Sequence, residues 1–415
     1  MKKSLLAVAA IGAFASAAQA QSSVTVYGVL DMGYYGSTAA SKNTAGVETK
    51  TTSSSFRSGQ ESTSRLGFKG NEDLGGGSSA FFTVEMALRP DSASLTGNAK
   101  TGGAVAAYDS QTSGSAVDNR QSFVGLKKNG VGSFSLGRQY TLGYEMQSAM
   151  SATQNVIMPG NVLYAVGGTA NSGGDSDISQ NVRASNALIA RTETIAGFRG
   201  NAMYAMSNSN KTNTGAVGTG TMNWSGWGLS ADYTWQKLVI GATYQSFKTQ
   251  YANGVAASAE AFNAGLTPNQ TATIAAGTTA AFPATMLSDK QTQVLGTYDF
   301  GILKAFAGWQ GRKVQDDYSA TTAAATQVNR NAQAIGVRSY ITPTIEAWGT
   351  VGNGKYKATV ASTYANFTGW QVGSNYYLSK RTNLYAIYGS QTTTSNNVNG
   401  AASNAAYSVG VRHTF

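Results

Sequence analysis

Residues 24–34 read VTVYGVLDMGY, and apolar and polar side chains take turns along this stretch. In an extended chain Val24, Leu30 and every second residue between them share one side, whereas Asp31 falls on the other. Residues 80–89, AFFTVEMALR, repeat the pattern. Because successive side chains of a strand point to opposite faces, this alternation indicates strands with one apolar and one wetter face. Neither stretch has the apolar spacing of three and four residues that a helix needs.

The same reading gives sixteen strands along the chain, joined by short and long connections in turn. We predict strands at 24–36, 62–70, 78–89, 119–127, 133–140, 183–192, 198–207, 227–235, 239–246, 289–298, 302–310, 329–341, 344–352, 366–377, 383–391 and 404–415. Long polar loops are predicted at 37–61, 90–118, 141–182, 208–225, 247–288, 311–328, 353–365 and 392–403.

This rhythm favours a membrane barrel. Bacterial transmembrane barrels have an even number of strands, with short turns at one rim and long loops at the other. A sheet inside a bilayer must close, because lipid offers no partner to an unpaired backbone N–H or C=O. We therefore predict an all-β fold, a sixteen-stranded antiparallel transmembrane β-barrel. A soluble β-sandwich is the alternative, but it would not need the alternation of long and short connections.

The first twenty residues are typical of an export signal. Lys2 and Lys3 precede an apolar run over 5–14, and Ala18-Gln19-Ala20 ends it with small residues. This pattern predicts a signal peptide over 1–20, cleaved before Gln21, and a barrel over 21–415. The run is too short for an anchoring helix, which needs about 20 apolar residues.

Composition excludes several classes of function. The chain has 415 residues, no cysteine and one histidine, His413, so thiolate nucleophiles, cysteine zinc sites and a Ser-His-Asp triad are not expected. We accordingly predict a protein that is not an enzyme, with neither a metal nor another cofactor. The formal charge of +10 falls to +8 once Lys2 and Lys3 leave. Because these charges are spread along the strands, nucleic acid is not an expected partner.

Aromatic residues gather where predicted strands end. The clusters are Tyr34-Tyr35, Trp224 with Trp227, Tyr376-Tyr377, and Tyr385 with Tyr388. Amphipathic rings collect at the two boundaries between membrane and water, so these clusters are predicted to form aromatic girdles.

Six blocks of sequence resemble the Gram-negative general porins, especially those of β-proteobacteria. The blocks are 22–28 (SSVTVYG), 64–75 (SRLGFKGNEDLG), 120–126 (RQSFVGL), 132–140 (GSFSLGRQY), 377–385 (YLSKRTNLY) and 409–415 (VGVRHTF). The resemblance implies a homotrimer among the lipids of the outer membrane. It also implies passive diffusion of small hydrophilic solutes and ions.

The last strand carries its own signal. Tyr407, Val409, Val411, His413 and Phe415 share one face by the period of two. A terminal strand of this kind resembles the signal that the barrel assembly machinery reads, with Phe415 as its final residue. We read His413 as an outward, interfacial residue near the periplasmic rim and not as a catalytic one.

The charges of the lumen should decide function. Arg65 and Lys69 are four apart in a predicted strand, so they share a face, whereas Leu66 and Phe68 take the other. Arginine on the lipid face near mid-membrane would cost about 2–4 kcal/mol, so Arg65 and Lys69 are predicted to face the water-filled interior. By resemblance, the basic wall of the pore constriction comprises Arg65, Arg120, Arg138 and Arg183.

The third long loop, about 141–182, matches the loop that folds into the lumen and constricts the pore in this family. By resemblance, Glu145 is its first acidic residue, facing the arginines. The second acidic stretch of the family is here Met158-Pro159-Gly160-Asn161, without a carboxylate, and Val29 replaces a lysine of the first strand. Asp175 and Asp177 lie later in the loop and could supply negative charge there; we favour the interpretation that they are solvated loop residues.

Four matched arginines thus face one matched carboxylate, which predicts a modest preference for anions. A substrate-selective channel for small organic acids or sugars is the alternative. It would need a dedicated site, such as an aromatic track of Tyr27, Tyr35 and Tyr140, and the periodicity leaves this open. An outer-membrane hydrolase would need a histidine beside aspartate or serine. An adhesin fits the loops rich in Asn, Ser and Thr, but porin surfaces carry such loops too.

Overall fold

The structure is a computed structural model that describes residues 23–42, 46–91, 118–154, 156, 158–163, 182–207, 222–251, 285–316, 327–358, 364–395 and 401–415. The predicted signal peptide over 1–20 lies outside the described residues, as do Asp175 and Asp177 of the third loop. No helix among the described residues is long and apolar enough to cross a membrane.

The described chain is almost entirely strand. Its elements in chain order are β1 (Ser23–Lys42), β2 (Glu48–Ser58), β3 (Arg65–Gly75), β4 (Ser78–Ala87), β5 (Asn119–Lys128), β6 (Gly132–Tyr140), α1 (Leu142–Ala149), β7 (Arg183–Thr192), β8 (Phe198–Ser207), β9 (Met222–Trp235), β10 (Leu238–Tyr251), β11 (Thr285–Asp299), β12 (Lys304–Asp316), β13 (Gln327–Thr342), β14 (Ile345–Ala358), β15 (Tyr364–Tyr377), β16 (Thr382–Ser395) and β17 (Ala401–Thr414).

These strands close into one barrel. From β3 to β17 each strand pairs antiparallel with the next, and β17 returns to β1, with Leu30 opposite His413 and Ser41 opposite Ala402. β2 and β3 both pair with the other edge of β1, β3 along its first residues and β2 along its last. The two are therefore halves of one interrupted strand, and the predicted sixteen-stranded antiparallel barrel is confirmed.

The prediction was wrong about β2, which falls inside the predicted loop 37–61. Its sequence, ETKTTSSSFRS, is polar on both faces, and most of its residues are exposed. An apolar alternation arises only where one face meets lipid, whereas backbone pairing can continue beyond the bilayer. For the same reason β1 runs on to Lys42, six residues past its predicted end at 36.

Side-chain direction follows the predicted period of two. On β1, Val24, Val26 and Leu30 are exposed on the outer surface, whereas Asp31 and Tyr35 are buried inside. β15 shows the same alternation along its length. An apolar outer face and a polar inner face are what a lipid-embedded, water-filled barrel requires.

The aromatic clusters divide between the two faces. Tyr34 and Tyr388 are exposed on the outer surface, whereas their partners Tyr35 and Tyr385 are buried inside. Residues one or three apart in a strand must point to opposite faces, so one member of each such pair cannot join a girdle. The outward rings do contact one another: Tyr34 lies 5.7 Å from Phe56, centroid to centroid.

Candidate functional site

The inner loop, by which we mean the described residues from 141 to 163, lies inside the barrel against its wall. It begins with α1, whose N-cap Thr141 accepts a 3.3 Å hydrogen bond from the Tyr144 N–H. Leu142 belongs to a buried apolar cluster with residues of β7 and β8, and Met146 belongs to a second one with residues of β11, β13 and β15. The helix α1 itself contacts β8 to β11. The apolar side of α1 is therefore buried against the inner face of the sheet, and this burial holds the helix inside the barrel.

Side chains of the wall donate hydrogen bonds to backbone carbonyls of the inner loop. Arg338 Nε donates to the Ala152 oxygen at 3.1 Å, and Gln371 Nε2 donates to the Met158 oxygen at 3.0 Å. Arg330 donates to the Val162 oxygen and also carries its guanidinium 4.9 Å from the centre of the Phe367 ring. The loop is thus fixed at several points along its length.

Glycine permits the closest approach between loop and wall. Gly160, at the tip of the inner loop, has φ of +96°, and a Cβ there would overlap the Trp370 carbonyl. A Cβ at Gly389 on β16 would overlap the Pro159 carbonyl oxygen. The loop tip therefore rests directly on wall backbone between β15 and β16.

Two of the matched arginines meet at one carboxylate, Glu85 of β4. Arg120 Nε donates to Glu85 Oε1 at 2.7 Å, and an Arg120 Nη donates to the Tyr140 hydroxyl at 2.7 Å. Arg65 Nε lies 4.0 Å from Glu85 Oε2. Arg120 is 4% exposed, whereas the Arg65 side chain is 23% exposed, so Arg65 presents more charge to the lumen.

Arg183 joins this cluster through an aromatic ring. Its guanidinium carbon lies 5.2 Å from the centre of the Tyr140 ring, and Tyr140 in turn stacks on Tyr144 at 4.7 Å. Arg65, Arg120 and Arg183 therefore gather around Glu85 and Tyr140 at the root of the inner loop. We call Arg65, Arg120, Arg183 and Glu85 the basic cluster.

The other predicted site residues have different neighbours. Arg138 donates to the Asn119 backbone oxygen at 2.8 Å and to Ser185 Oγ at 2.7 Å. Lys69 is exposed, with its Nζ 5.4 Å from the centre of the Tyr27 ring.

Glu145 forms a two-point ion pair with Arg191 of β7. An Arg191 Nη lies 2.9 Å from Glu145 Oε1, and the other lies 2.8 Å from Oε2. The resemblance implied that Glu145 faces the four matched arginines. In the structure it instead pairs with a fifth arginine, Arg191, which is the last residue but one of β7.

Sequence reasoning missed Glu85 as a site residue, although it lies on the wetter face of residues 80–89. The pairing register of β3 and β4 identifies it. The turn between β3 and β4 sets Gly67 opposite Glu85 and Arg65 opposite Ala87. Glu85 is therefore the diagonal neighbour of Arg65, a distance that long side chains can bridge.

Each tyrosine of the suggested aromatic track has a cation near its ring. Arg57 lies 4.2 Å from the centre of the Tyr35 ring, and the corresponding partners of Tyr27 and Tyr140 are Lys69 and Arg183. Such contacts are typical of cation–π attraction. The three rings are therefore parts of a basic lining.

The chain's last residue closes the barrel seam. The Phe415 N–H donates to the Gly28 oxygen at 3.1 Å, and the Gly28 N–H donates to the Phe415 oxygen at 3.0 Å. Phe415, Val409 and His413 are exposed on the outer face, as the period of two predicts. His413 Nδ1 lies 2.9 Å from Thr382 Oγ1. Within the described part of the chain, no three His, Asp or Glu side chains gather as metal ligands would.

Known proteins resemble this chain in sequence and in architecture. A family model described as Gram-negative porin matches residues 7–397. An outer membrane porin protein of Bordetella pertussis is 29% identical over 443 aligned residues, covering 100% of both chains. Outer membrane porin protein 32 of Delftia acidovorans is 41% identical over 99 residues, 23% of this chain and 25% of that protein.

Solved structures share the barrel. An anion-selective porin from Comamonas acidovorans has a TM-score of 0.60 and 21% identity, covering 95% of this chain and 100% of its own. A trimer form of OmpT, an outer membrane protein of Vibrio cholerae, has a TM-score of 0.56 and 15% identity, covering 95% and 99%. The chain therefore belongs to the Gram-negative porin family, and it is an outer-membrane protein that crosses the bilayer with its strands.

Proposed function

We propose that this porin is a general diffusion channel for small hydrophilic solutes and ions, with a modest preference for anions. The observation that carries the preference is the basic cluster, in which three arginines surround one glutamate. Arg120 is paired with Glu85 at 2.7 Å, so the cluster keeps two positive charges in excess. Arg65, whose side chain is 23% exposed, carries the part of this excess nearest to lumen water.

The physical basis is a positive potential at a narrow part of a water-filled tube. A barrel of sixteen strands leaves an aqueous channel. We infer that the inner loop narrows it, because this loop occupies the lumen along β10 to β16. Positive charge inside a low-dielectric wall concentrates anions and repels cations. The Comamonas porin of the same fold is named anion-selective, which supports the proposal.

Substitution of Arg65 tests this role. Arg65→Ser should lower the ratio of anion to cation permeability, measured as a reversal potential in a planar bilayer under a potassium chloride gradient. It should also raise single-channel conductance slightly, because a shorter side chain leaves more room. Arg199→Ser is the matched control, since Arg199 pairs with Asp232 at 2.9 Å on a different part of the wall and is half exposed. Unchanged selectivity in Arg65→Ser would show that this arginine is not at the narrows.

The alternative is a channel selective for small organic acids. It is favoured by the cation–tyrosine pairs, since a basic and aromatic lining suits a carboxylate on a small organic skeleton. Liposome swelling with sugars and organic acids of graded size separates the two functions. A general channel gives rates that fall smoothly with size, whereas a selective one gives an outlier for its substrate.

We propose that the chain assembles as a homotrimer. Support comes from the trimer form of the Vibrio cholerae protein with the same fold. The mass of the detergent-purified, unheated protein should correspond to three mature chains, and heating should reduce it to one.

We also propose that Phe415 acts in recognition by the barrel assembly machinery, since it ends the outward face of β17.

A further inference from the structure

We propose that Asp31 is a positioning residue for Arg65, acting through residues 59–64, which fold into the lumen. We call residues 59–64 the inner turn. The inference rests on the proposed function of Arg65 in selectivity. It adds a second inward element to the pore, beside β16, one of the wall strands that hold the inner loop.

The register of the barrel requires the inner turn to leave the sheet. Ser58, the last residue of β2, lies opposite Met32, and Arg65, the first of β3, lies opposite Val29. Six residues therefore stand where β1 offers only two, Leu30 and Asp31. The surplus folds inward: Ser64 is fully buried, and Glu61 accepts a 3.0 Å hydrogen bond from Asn383 of β16, past the neighbouring strand β17.

Asp31 holds this turn at its centre and at both ends. Its Oδ2 accepts the backbone N–H groups of Glu61 and Ser62 at 2.9 and 2.7 Å. Its own backbone N–H donates to Ser64 Oγ at 2.9 Å, and its backbone oxygen accepts the Gly59 N–H at 3.1 Å. The N–H groups of Glu61 and Ser62 thus pair the carboxylate of a residue that is 0% exposed. An unpaired carboxylate buried to this extent would carry a large desolvation cost.

The inner turn positions the side chain of Arg65. Ser62, whose N–H is held by Asp31, uses its Oγ to accept a 2.9 Å hydrogen bond from an Arg65 Nη. The ion pair of Arg65 with Glu85 is longer, at 4.0 Å. The Ser62 hydroxyl is thus the closer anchor of this guanidinium, and its position depends on Asp31.

The same carboxylate also contacts the inner loop through one shared residue. Asp31 Oδ1 accepts a 2.7 Å hydrogen bond from the Tyr385 hydroxyl. The buried Tyr385 belongs to the same apolar cluster as Val156 and Met158 at the tip of the inner loop. Tyr385 of β16 therefore links the inner turn, through Asp31, to the inner loop.

The sign of the effect distinguishes positioning from charge. Removing a lumen carboxylate makes the interior more positive, so by charge alone Asp31→Ala should raise the preference for anions. If Asp31 positions Arg65, its loss should lower the preference instead. The control is Asp232→Ala, which removes an inward carboxylate on β9 that pairs with Arg199 and lies outside the inner turn. The anion preference of the Asp232→Ala channel should stay the same or rise.

The experiment measures reversal potentials under a potassium chloride gradient for Asp31→Ala, Ser62→Ala, Arg65→Ser and the double variant Asp31→Ala/Arg65→Ser. We expect Asp31→Ala and Ser62→Ala each to lower the permeability ratio by at least half of the change in Arg65→Ser. We expect the double variant to lie no lower than Arg65→Ser, because only the charge effect of Asp31 remains once Arg65 is absent. Ser62→Ala removes only one hydroxyl and keeps the test valid if Asp31→Ala does not fold, which heat-modifiable gel mobility reports.

Two results would overturn the inference and differ from each other. If Arg65→Ser lowers the ratio while Ser62→Ala leaves it unchanged, Arg65 acts without the inner turn and only the inference is wrong. If Arg65→Ser itself changes nothing, the proposed function of Arg65 is wrong, and the positioning claim fails with it.

Discussion

Glu85 accepts a 2.7 Å hydrogen bond from Nε of Arg120, which brings a carboxylate into the centre of the basic cluster. Both side chains are 5% exposed, so the pair is shielded from lumen water. The preference for anions therefore depends on the two positive charges that this pair leaves in excess, those of Arg65 and Arg183, and it should be modest because Arg183 is itself buried.

Glu85 offers the first prediction. Glu85→Gln keeps the size of the side chain and an acceptor oxygen for Arg120, but it removes one negative charge. The permeability ratio should shift toward anions by up to about fivefold at low salt, the equivalent of about 1 kcal/mol for one charge at about 4 Å in water. Reversal potentials measure it, and a shift toward cations would contradict it.

A second prediction concerns the contact between the loop tip and the wall. A methyl group in Gly389→Ala would overlap the Pro159 carbonyl oxygen and push the tip of the inner loop into the lumen. Single-channel conductance should fall, and larger sugars should enter liposomes more slowly. Gly349→Ala is the control, because a Cβ there would meet Val372 on the outer face at an ordinary 3.5 Å. Equal conductance in the two variants would show that the tip does not limit the pore.

The ion pair between Glu145 and Arg191 gives a third prediction. Glu145→Gln should raise the preference for anions and Arg191→Gln should lower it, whereas the double variant should return to the wild-type value because the pair is neutral. The two side chains are 37% and 30% exposed, so loss of the pair should cost about 0–1 kcal/mol and leave folding intact. Reversal potentials of the three variants check the cycle. A double variant that stays displaced would mean that Glu145 acts on the pore by another route.

The barrel seam supplies a fourth prediction. The Phe415 ring lies over Gly28, where any Cβ would overlap it. Phe415→Ala removes this ring from the closing strand, so the amount of heat-modifiable barrel in the outer membrane should fall severalfold. Val409→Ala, on the same outward face of β17, should assemble normally. Normal assembly of Phe415→Ala would argue against a special role for the last residue.

The sequence predicted the barrel because a period of two is a local property that lipid and water enforce together. The outward face of β17 and the inward side of Asp31 both follow from it. Where both faces of a strand contact water, the alternation of apolar and polar residues disappears, and β2 was therefore missed. The full burial of Asp31 was equally hidden, since it depends on the six residues of the inner turn that fold over it.

The site was predictable where it depended on strands and much less where it depended on the loop. Arg65 and Lys69 share the predicted inner side of β3, and Glu85 could have been found from the register of β3 and β4. The pairing of Glu145 with Arg191 depends on how α1 packs against the wall. That packing joins residues far apart in the chain, and no local pattern encodes it.

The reversal potential of the wild-type channel under a potassium chloride gradient is the most direct test of a positive lumen. The account predicts a potential of the anion-favouring sign. It also predicts that the potential shrinks as salt rises, because the screening length falls from about 10 Å at 0.1 M to about 3 Å at 1 M. A potential of the cation-favouring sign at low salt would contradict it.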